Sequence, residues 1–420
     1  MIFLANILEM NGGTTFLIRI CEALKAQGRR SAVLVLRAGG DPNLAEKLAS
    51  HAEIFHLSDF QYDRGHIMRK HLGAFAPICW QRLSDSLAPF GNTLHAMGGF
   101  GLIVGARLAN HAPRFRVTTG IYHQNEFLYK GHFFFSNELL KLFKRIPEKN
   151  IVFFNESSRD NYIRFYSAPE YKRSTITPIG VALKLDEKAT PSYGSRKIIS
   201  VGNLVNFKTY NTHIIHMLPK LREEFEDINY HLYGAGDQRP MLEAFADELR
   251  VSDIVFFEGR IDYQQLGTLW ADAGLFVGSG TALIEAAAAG LPALVGIESI
   301  QEPLTYGFLS DVQGYSYNEL IPGRSMVSML TCIQRVLRDR DEWKSVALAC
   351  LAKAQEFSVR HTATDFIRMA DEAEPTPKLI TNGETLRMLA GLPLLALRDK
   401  MAPETAFMSR RNQSFQPDGR

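Results

Sequence analysis

The sequence predicts an α/β protein built from two doubly wound, Rossmann-like domains facing a cleft. Three observations predict it. Short apolar, β-prone runs alternate with helix-favouring stretches along most of the 420 residues, which is the pattern of parallel sheets. The alternation runs as two series, with a polar, turn-rich break at residues 190–196 (TPSYGSR) between them. Strands of the second series close on glycines, at the carboxyl ends where open α/β sheets hold ligands.

In the first series, residues 2–8 read as a strand, 14–27 as a helix, 31–36 as a second strand and 42–50 as a short helix. Further strands are expected at 53–57, 93–96 and 116–121, with IVFF at 151–154 closing this half. In the second series, strands at 197–201, 230–233, 254–257, 275–277 and 293–297 alternate with helices at 212–225, 240–249, 263–273 and 281–289. Residues 327–338 and 342–356 are helical in pattern. These series give an N-terminal domain over 1–190 and a C-terminal domain over 191–373, with a C-terminal helix able to pack back on the first. Residues 374–420 form an extension that loses periodicity, and its polar end, 409–420, is expected to be disordered.

Composition narrows the function classes. Hydrophobic content of 46% and charged content of 22% are those of an ordinary globular protein. A formal net charge of +2 gives no electrostatic case for nucleic acid. Cys21, Cys79, Cys332 and Cys350 are far apart, lack metal-ligand spacing and read as buried thiols in a reducing cytoplasm. The N-terminus MIFLANILEMNGG lacks a basic region and reads as a first strand. No run of about 20 apolar residues predicts a transmembrane helix.

The densest chemical signal lies at residues 277–292, VGSGTALIEAAAAGLP. A buried strand runs into Gly278-Ser279-Gly280-Thr281, where two glycines allow a sharp turn and two hydroxyls can cap a helix. The alanine-rich helix that follows exposes unpaired N–H groups and partial positive charge at its start, which suits a diphosphate. Thr281 and Glu285 are four apart and share a face. One turn is about 5.4 Å, roughly the step from a diphosphate to its ribose, so Glu285 is placed to accept ribose hydroxyls. The same pattern also describes an ordinary strand, turn and helix with a solvated glutamate.

Two more segments add to it. ISVGNLVNFKTYN, residues 199–211, ends a strand at Gly202 and carries Lys208 toward a helix, where its charge could neutralise a diphosphate. Tyr233-Gly234-Ala235-Gly236-Asp237 and Phe257-Glu258-Gly259-Arg260 close the next two strands with loops on the same rim. Taken singly, each is a surface lysine or a βα turn.

In this order the segments resemble the retaining glycosyltransferases of the GT-B fold, of the large family 4 type, over roughly residues 196–300. The resemblance implies diphosphate contacts at Gly202, Lys208 and Ser279 to Thr281, a donor loop at Gly234 and Gly236, base contacts at Gly259 and Arg260, and ribose binding at Glu285. Less specifically, Asn11-Gly12-Gly13-Thr14 stands where that family has a glycine-rich loop over the donor phosphates. His123 stands where it often places an active-site histidine, and residues 177–181 (TPIGV) resemble its interdomain segment. Two positions depart from the family. Asn203 replaces an arginine that pairs with the diphosphate. Val277 replaces the first of two glutamates spaced eight apart, a residue that often contacts the sugar.

The resemblance implies transfer of a sugar from a nucleoside-diphosphate sugar to a glycan or lipid-linked acceptor, in surface polysaccharide biosynthesis. Neither a cofactor nor a metal is expected. Lysine and a helix terminus do the neutralising, and Asp339-Arg340-Asp341 reads as surface. His123, Lys208 and Glu285 are the catalytic candidates, with Asn125 and Glu126 as acceptor-side candidates; His123 reads equally as an ordinary histidine at a strand end. Residues 131–149 carry four phenylalanines and a basic flank, which suit contact with the cytoplasmic face of an anionic membrane or, equally, a core-packed helix. Residues 386–397 offer a weaker apolar stretch, broken as a helix by Gly391 and Pro393. Two rivals stand beside this reading: a catalytically weak or inactive relative that binds nucleotide sugar or glycan, and a sugar-nucleotide epimerase on the same fold. The epimerase is disfavoured by Lys208 and by the lack of a visible carboxylate and histidine cluster. A Rossmann oxidoreductase is disfavoured because NGGTT, not Gly-x-Gly-x-x-Gly, follows the first strand.

Overall fold

The computed structural model describes residues 1–62, 73–129, 134–183, 191, 193–261 and 266–401. By its internal contacts the chain forms two units: Met1–Gly180 together with Val359–Arg420, and Val181–Ser358. Most of 190–196 lies among the described residues, but Thr190 and Ser192 do not, nor do 131–133, 263–265 or the polar end at 409–420.

The first unit is a seven-stranded parallel sheet in the order β3-β2-β1-β4-β5-β6-β7. Its strands are β1 (Ile2–Ala5), β2 (Ala32–Val35), β3 (Glu53–His56), β4 (Thr93–Ala96), β5 (Arg116–Ile121), β6 (Ile151–Phe153) and β7 (Thr175–Ile176). All four residues of β1, β2 and β4 are buried, as continuous apolar strands covered on both faces must be. The expected first strand ran to residue 8, but β1 stops at Ala5, and helix α1 (Gly12–Ala26) begins two residues before the expected start. Asn11 caps it, its side chain accepting from the Thr14 N–H at 3.0 Å. Gly12 and Gly13 are therefore the first helical turn.

Three helices of this unit were not anticipated: α3 (Trp80–Leu87), α4 (Gly99–His111) and α6 (Glu156–Tyr166). The three glycines of α4 argue against a helix by propensity, yet all three serve close packing, Gly99 against the Leu139 side chain. A Cβ on Gly101 would stand 2.8 Å from the Leu4 carbonyl oxygen, and one on Gly105 would stand 3.0 Å from Leu4 Cδ1.

Helix α5 (Phe134–Lys144) turns Phe135, Leu139, Leu142 and Phe143 into the core, with Ile146 beyond it. Of the two readings of this apolar stripe, membrane contact or a core-packed helix, the buried side chains fit the core-packed helix. Helix α14 (Asn382–Met401) runs unbroken through Gly391 and Pro393, against expectation. Gly391 is required there, because a Cβ would stand 2.6 Å from the Phe135 backbone nitrogen. Arg145 joins the two helices through paired bonds to Glu384 at 2.6 and 2.9 Å, and Arg387 returns to Glu138 at 3.2 Å. Among the described residues no helix is long and apolar enough to cross a membrane.

The expected second domain ran to residue 373 with a C-terminal helix able to pack back on the first; α13 (Val359–Glu372) groups with the first unit in that way. The reason is apolar: Ala363, Phe366 and Met369 fill a core formed with Phe3, Phe16, Leu17 and Val33. Cys21, Cys332 and Cys350 are buried free thiols as expected, and Cys79 is half-buried.

The second unit has a five-stranded parallel sheet in the order β10-β9-β8-β11-β12. Its strands are β8 (Lys197–Val201), β9 (Asn229–Tyr233), β10 (Val255–Gly259), β11 (Leu275–Gly278) and β12 (Ala293–Val295). Helices α7 (Tyr210–Glu224), α8 (Arg239–Glu248), α9 (Leu266–Asp272) and α10 (Thr281–Ala288) link them. An antiparallel pair, β13 (Leu304–Thr305) with β14 (Val327–Ser328), follows, then α11 (Met329–Arg338) and α12 (Arg340–Ala354). Asp339 caps α12, accepting from the Asp341 and Glu342 N–H groups, so this acidic stretch is a helix start.

Candidate functional site

Each strand of the second sheet ends at a glycine on one rim. Gly259 closes β10, Gly234 follows β9, Gly202 follows β8, Gly278 closes β11 and Gly296 stands one residue beyond β12. Backbone bonds continue the ladder past the strands. The Gly202 N–H reaches the Tyr233 carbonyl at 2.9 Å, Gly234 reaches Gly259 at 2.7 Å, and Gly296 reaches Gly278 at 2.7 Å. The approach is too close for side chains: a Cβ on Gly234 would stand 1.9 Å from the Gly202 carbonyl oxygen, and one on Gly236 1.9 Å from that of Leu204.

Strand order reverses between β8 and β11, which is where open α/β sheets bind ligands. Lys208 lies in the loop beyond β8, half-buried, its Nζ 2.4 Å from where a Gly202 Cβ would be. On the other side of the reversal, Gly278 and Ser279 turn into α10. Gly280, at φ +69°, stands immediately before this helix of eight residues. Glu285 is half-buried one turn along α10, beside Tyr317. Thus Gly202, Lys208, Gly234, Gly236, Gly259, Ser279, Gly280, Thr281 and Glu285 share one rim. Asn203 and Arg260 are also on it and exposed to solvent. Val277, where the resemblance has a glutamate, is fully buried.

Residues that the motifs did not single out complete this rim. The Glu298 carboxylate accepts from the Ser279 hydroxyl at 2.7 Å. Asn318 accepts from the Gly280 N–H at 2.9 Å through its side chain and from the Glu298 N–H at 2.9 Å through its carbonyl. The Tyr317 hydroxyl donates to the Gly280 carbonyl at 3.2 Å. Burial pushes the Glu298 carboxyl above its ordinary range, while the Ser279 hydrogen bond and the Lys208 charge pull it partway back. Burial, and then the charges of Glu319, Glu298 and Glu285, hold the Tyr317 phenol protonated. Three glutamates, from α10, the loop after β12 and the loop before β14, act by their charge on one tyrosine. Their separation along the chain hid them. Among the described residues, no group of three His, Cys, Asp or Glu side chains could hold a metal ion.

The first unit holds the remaining candidates, and its strand order reverses between β1 and β4. Gly12 and Gly13 open α1 after β1. Gly98, at φ +102°, precedes α4 after β4. Asn125 and Glu126 are buried in the turn after β5, whose His123 carbonyl accepts from the Glu126 N–H at 3.0 Å. A Glu126 carboxylate oxygen lies 3.1 Å from where a Gly98 Cβ would be, at the positive end of α4. His123 is half-buried beside them. His95, not noticed in the sequence, bridges Thr118 at 3.0 Å and the Tyr122 hydroxyl at 2.9 Å beneath this turn. Burial lowers its pKa to about 3, so it is a neutral structural group.

Residues 184–299 match the family model of the glycosyl transferases group 1. The match falls within the second unit, Val181–Ser358. Solved structures agree on the fold. Anabaena HepE, in complex with UDP and glucose, is 18% identical, with 87% of this chain and 97% of that one covered at a TM-score of 0.58. A glycosyltransferase from Rickettsia africae is 13% identical over 89% and 98% of the two chains, at 0.62. Staphylococcus aureus TarM, in complex with fondaparinux, α-GlcNAc-glycerol and UDP, is 8% identical over 89% and 99%, at 0.59. No curated protein matches the sequence significantly. The two Rossmann-like units have the GT-B fold, and the glycines, Lys208, the 278–281 turn, Glu285 and Glu298 of the rim lie within the segment that matches the group 1 model.

Proposed function

We propose that the chain is a retaining glycosyltransferase that moves a sugar from a nucleoside-diphosphate sugar to a glycan or lipid-linked acceptor in the cytoplasm, for surface polysaccharide biosynthesis. One observation carries the donor site. At the reversal between β8 and β11, Lys208 stands on one side and the turn into α10 on the other. Both present positive charge to an anion bound there. Known structures of the fold support the class of ligand, since HepE holds UDP and glucose.

In this reading the diphosphate lies on the 278–281 turn, Lys208 neutralises it as the bond to the sugar breaks, and Glu285 holds the ribose. Gly234, Gly236, Gly259 and Arg260 border the base. Stabilising charge that grows in the transition state is electrostatic catalysis, and a lysine with a helix terminus supplies it without a metal or another cofactor. Gly12 and Gly13 would cover the donor phosphates, and His123, Asn125 and Glu126 would orient sugar or acceptor.

A thermal-shift screen with UDP, GDP, dTDP and their sugars tests the reading. A nucleotide at 100 times its Kd adds about 2.7 kcal/mol of stability. One nucleotide should raise the melting temperature, and Lys208→Ala and Glu285→Ala should each cut the shift by about half or more. Losing one charge-assisted bond costs about 1.5–3 kcal/mol, which is roughly tenfold to a hundredfold in affinity. No shift with any nucleotide would sink the donor site. A second reading, binding without transfer, is favoured by the exposed Asn203 in place of an arginine. Sugar transfer or donor hydrolysis by the purified chain would exclude it.

A further inference from the structure

Two groups assigned to the diphosphate are already engaged. The Ser279 hydroxyl, buried at 2% exposure, donates to the Glu298 carboxylate at 2.7 Å. Lys208 is close enough for its charge to act on the same carboxylate. The Glu298 backbone N–H is tied to Asn318, whose side chain also accepts from Gly280 N–H, so Glu298 is built into the turn rather than lying loosely over it. The charges acting on the neighbouring Tyr317 are those of acids, Glu319 from the loop before β14, Glu298 itself and Glu285 from α10, and the Tyr210 hydroxyl of α7 lies 3.5 Å from that of Ser279. A diphosphate on this turn brings further negative charge against an anionic carboxylate and competes with it for both Lys208 and Ser279.

We propose that Glu298 is the positioning residue of this turn, and that a nucleoside diphosphate binds with uptake of one solvent proton by its carboxyl. The inference rests on the donor-site reading above. In the empty site, anionic Glu298 holds the serine and lysine in place. In the occupied site, the protonated carboxyl releases Lys208 to the diphosphate, removes the like-charge repulsion and has an O–H to donate to a phosphate oxygen. The proton costs little, because burial already raises this carboxyl toward neutrality and an incoming anion raises it further. The carboxylate that the resemblance places at residue 277, on β11, is in effect delivered from the loop after the neighbouring strand β12.

Calorimetric titration of the full chain with UDP, GDP, ADP and dTDP, from pH 6 to pH 9 and in buffers of different ionisation enthalpy, tests this. The isosteric Glu298→Gln is the comparison, since its amide oxygen can still accept from Ser279; equal melting temperatures show that it folds. Wild type should take up close to one proton more than Glu298→Gln. Its affinity should fall by up to tenfold per pH unit between the free and bound values of the carboxyl, and the variant should lack this component. The ligand's own terminal phosphate titrates in the lower part of the range and contributes equally to both proteins. Binding with identical proton uptake and pH dependence in the two proteins would overturn the role of Glu298 and leave the donor site standing. Failure of all four nucleotides to bind either protein would overturn both.

Discussion

At the scale of residues, two glycines on the rim separate fold from site. Alanine at Gly234 forces a Cβ to 1.9 Å from a backbone oxygen that cannot move without breaking the strand-end ladder. Gly234→Ala should cost about 2 kcal/mol or more, combining backbone strain with overpacking, and urea unfolding would show it. At Gly202 the obstructing atom is the mobile end of Lys208. Gly202→Ala, at φ +147°, should therefore lose stability through backbone strain alone, less than Gly234→Ala, and bind nucleotide more weakly because the lysine must swing aside. Equal losses in both properties at both positions would contradict this division. The glycines, Lys208, Ser279 and Glu285 were legible as residues because each follows a strand in a recognisable turn. Glu298 and Asn318 were not legible. They join the turn from segments 19 and 38 residues beyond their partners, through bonds no local spacing announces.

At the scale of elements, α14 rests on α5 through a buried Met388 and the pair of Arg145 with Glu384. The Arg145 hydrogen bonds hold the Glu384 carboxyl down at about 2. A lowered carboxyl stabilises the fold above its unfolded value of about 4.3 and loses that contribution as pH falls toward 2. Glu384→Gln should be less stable than wild type at pH 7, by about 1 kcal/mol for a partly exposed pair, and the gap should close as both proteins are titrated toward pH 2. Met388→Ala should cost about 2–4 kcal/mol as a cavity, while Leu394→Ala, at a position 46% exposed, should be nearly neutral. Chemical unfolding of the three variants checks the set. The sequence hid α14 because Gly391 and Pro393 oppose a helix locally. Tertiary packing overrides them, since Gly391 lets α14 approach the backbone of Phe135. The strands were easier to read, because a fully covered parallel strand is simply a short apolar run.

At the scale of the whole molecule, the chain leaves the first unit at Gly180 and returns to it at Val359. Phe366 of α13 stacks on Phe3 and packs against Phe16, His95 and Phe154. A chain ending at residue 358 lacks this ring and should lose the first unit's near-ultraviolet circular dichroism signal; adding back residues 359–401 within the same chain should restore it. The same interruption sets an order during synthesis. The second unit is continuous in sequence, so all of its strands have left the ribosome before α13 appears. The first unit emerges earlier but lacks part of its core until residues 359–372 have been made. It also has to close a connection of some 180 residues, for which loop-closure entropy rises only as the logarithm of length, so the delay is a matter of translation time more than of free energy. In the interval the face awaiting Phe366 is open to water, to chaperones and to other nascent chains.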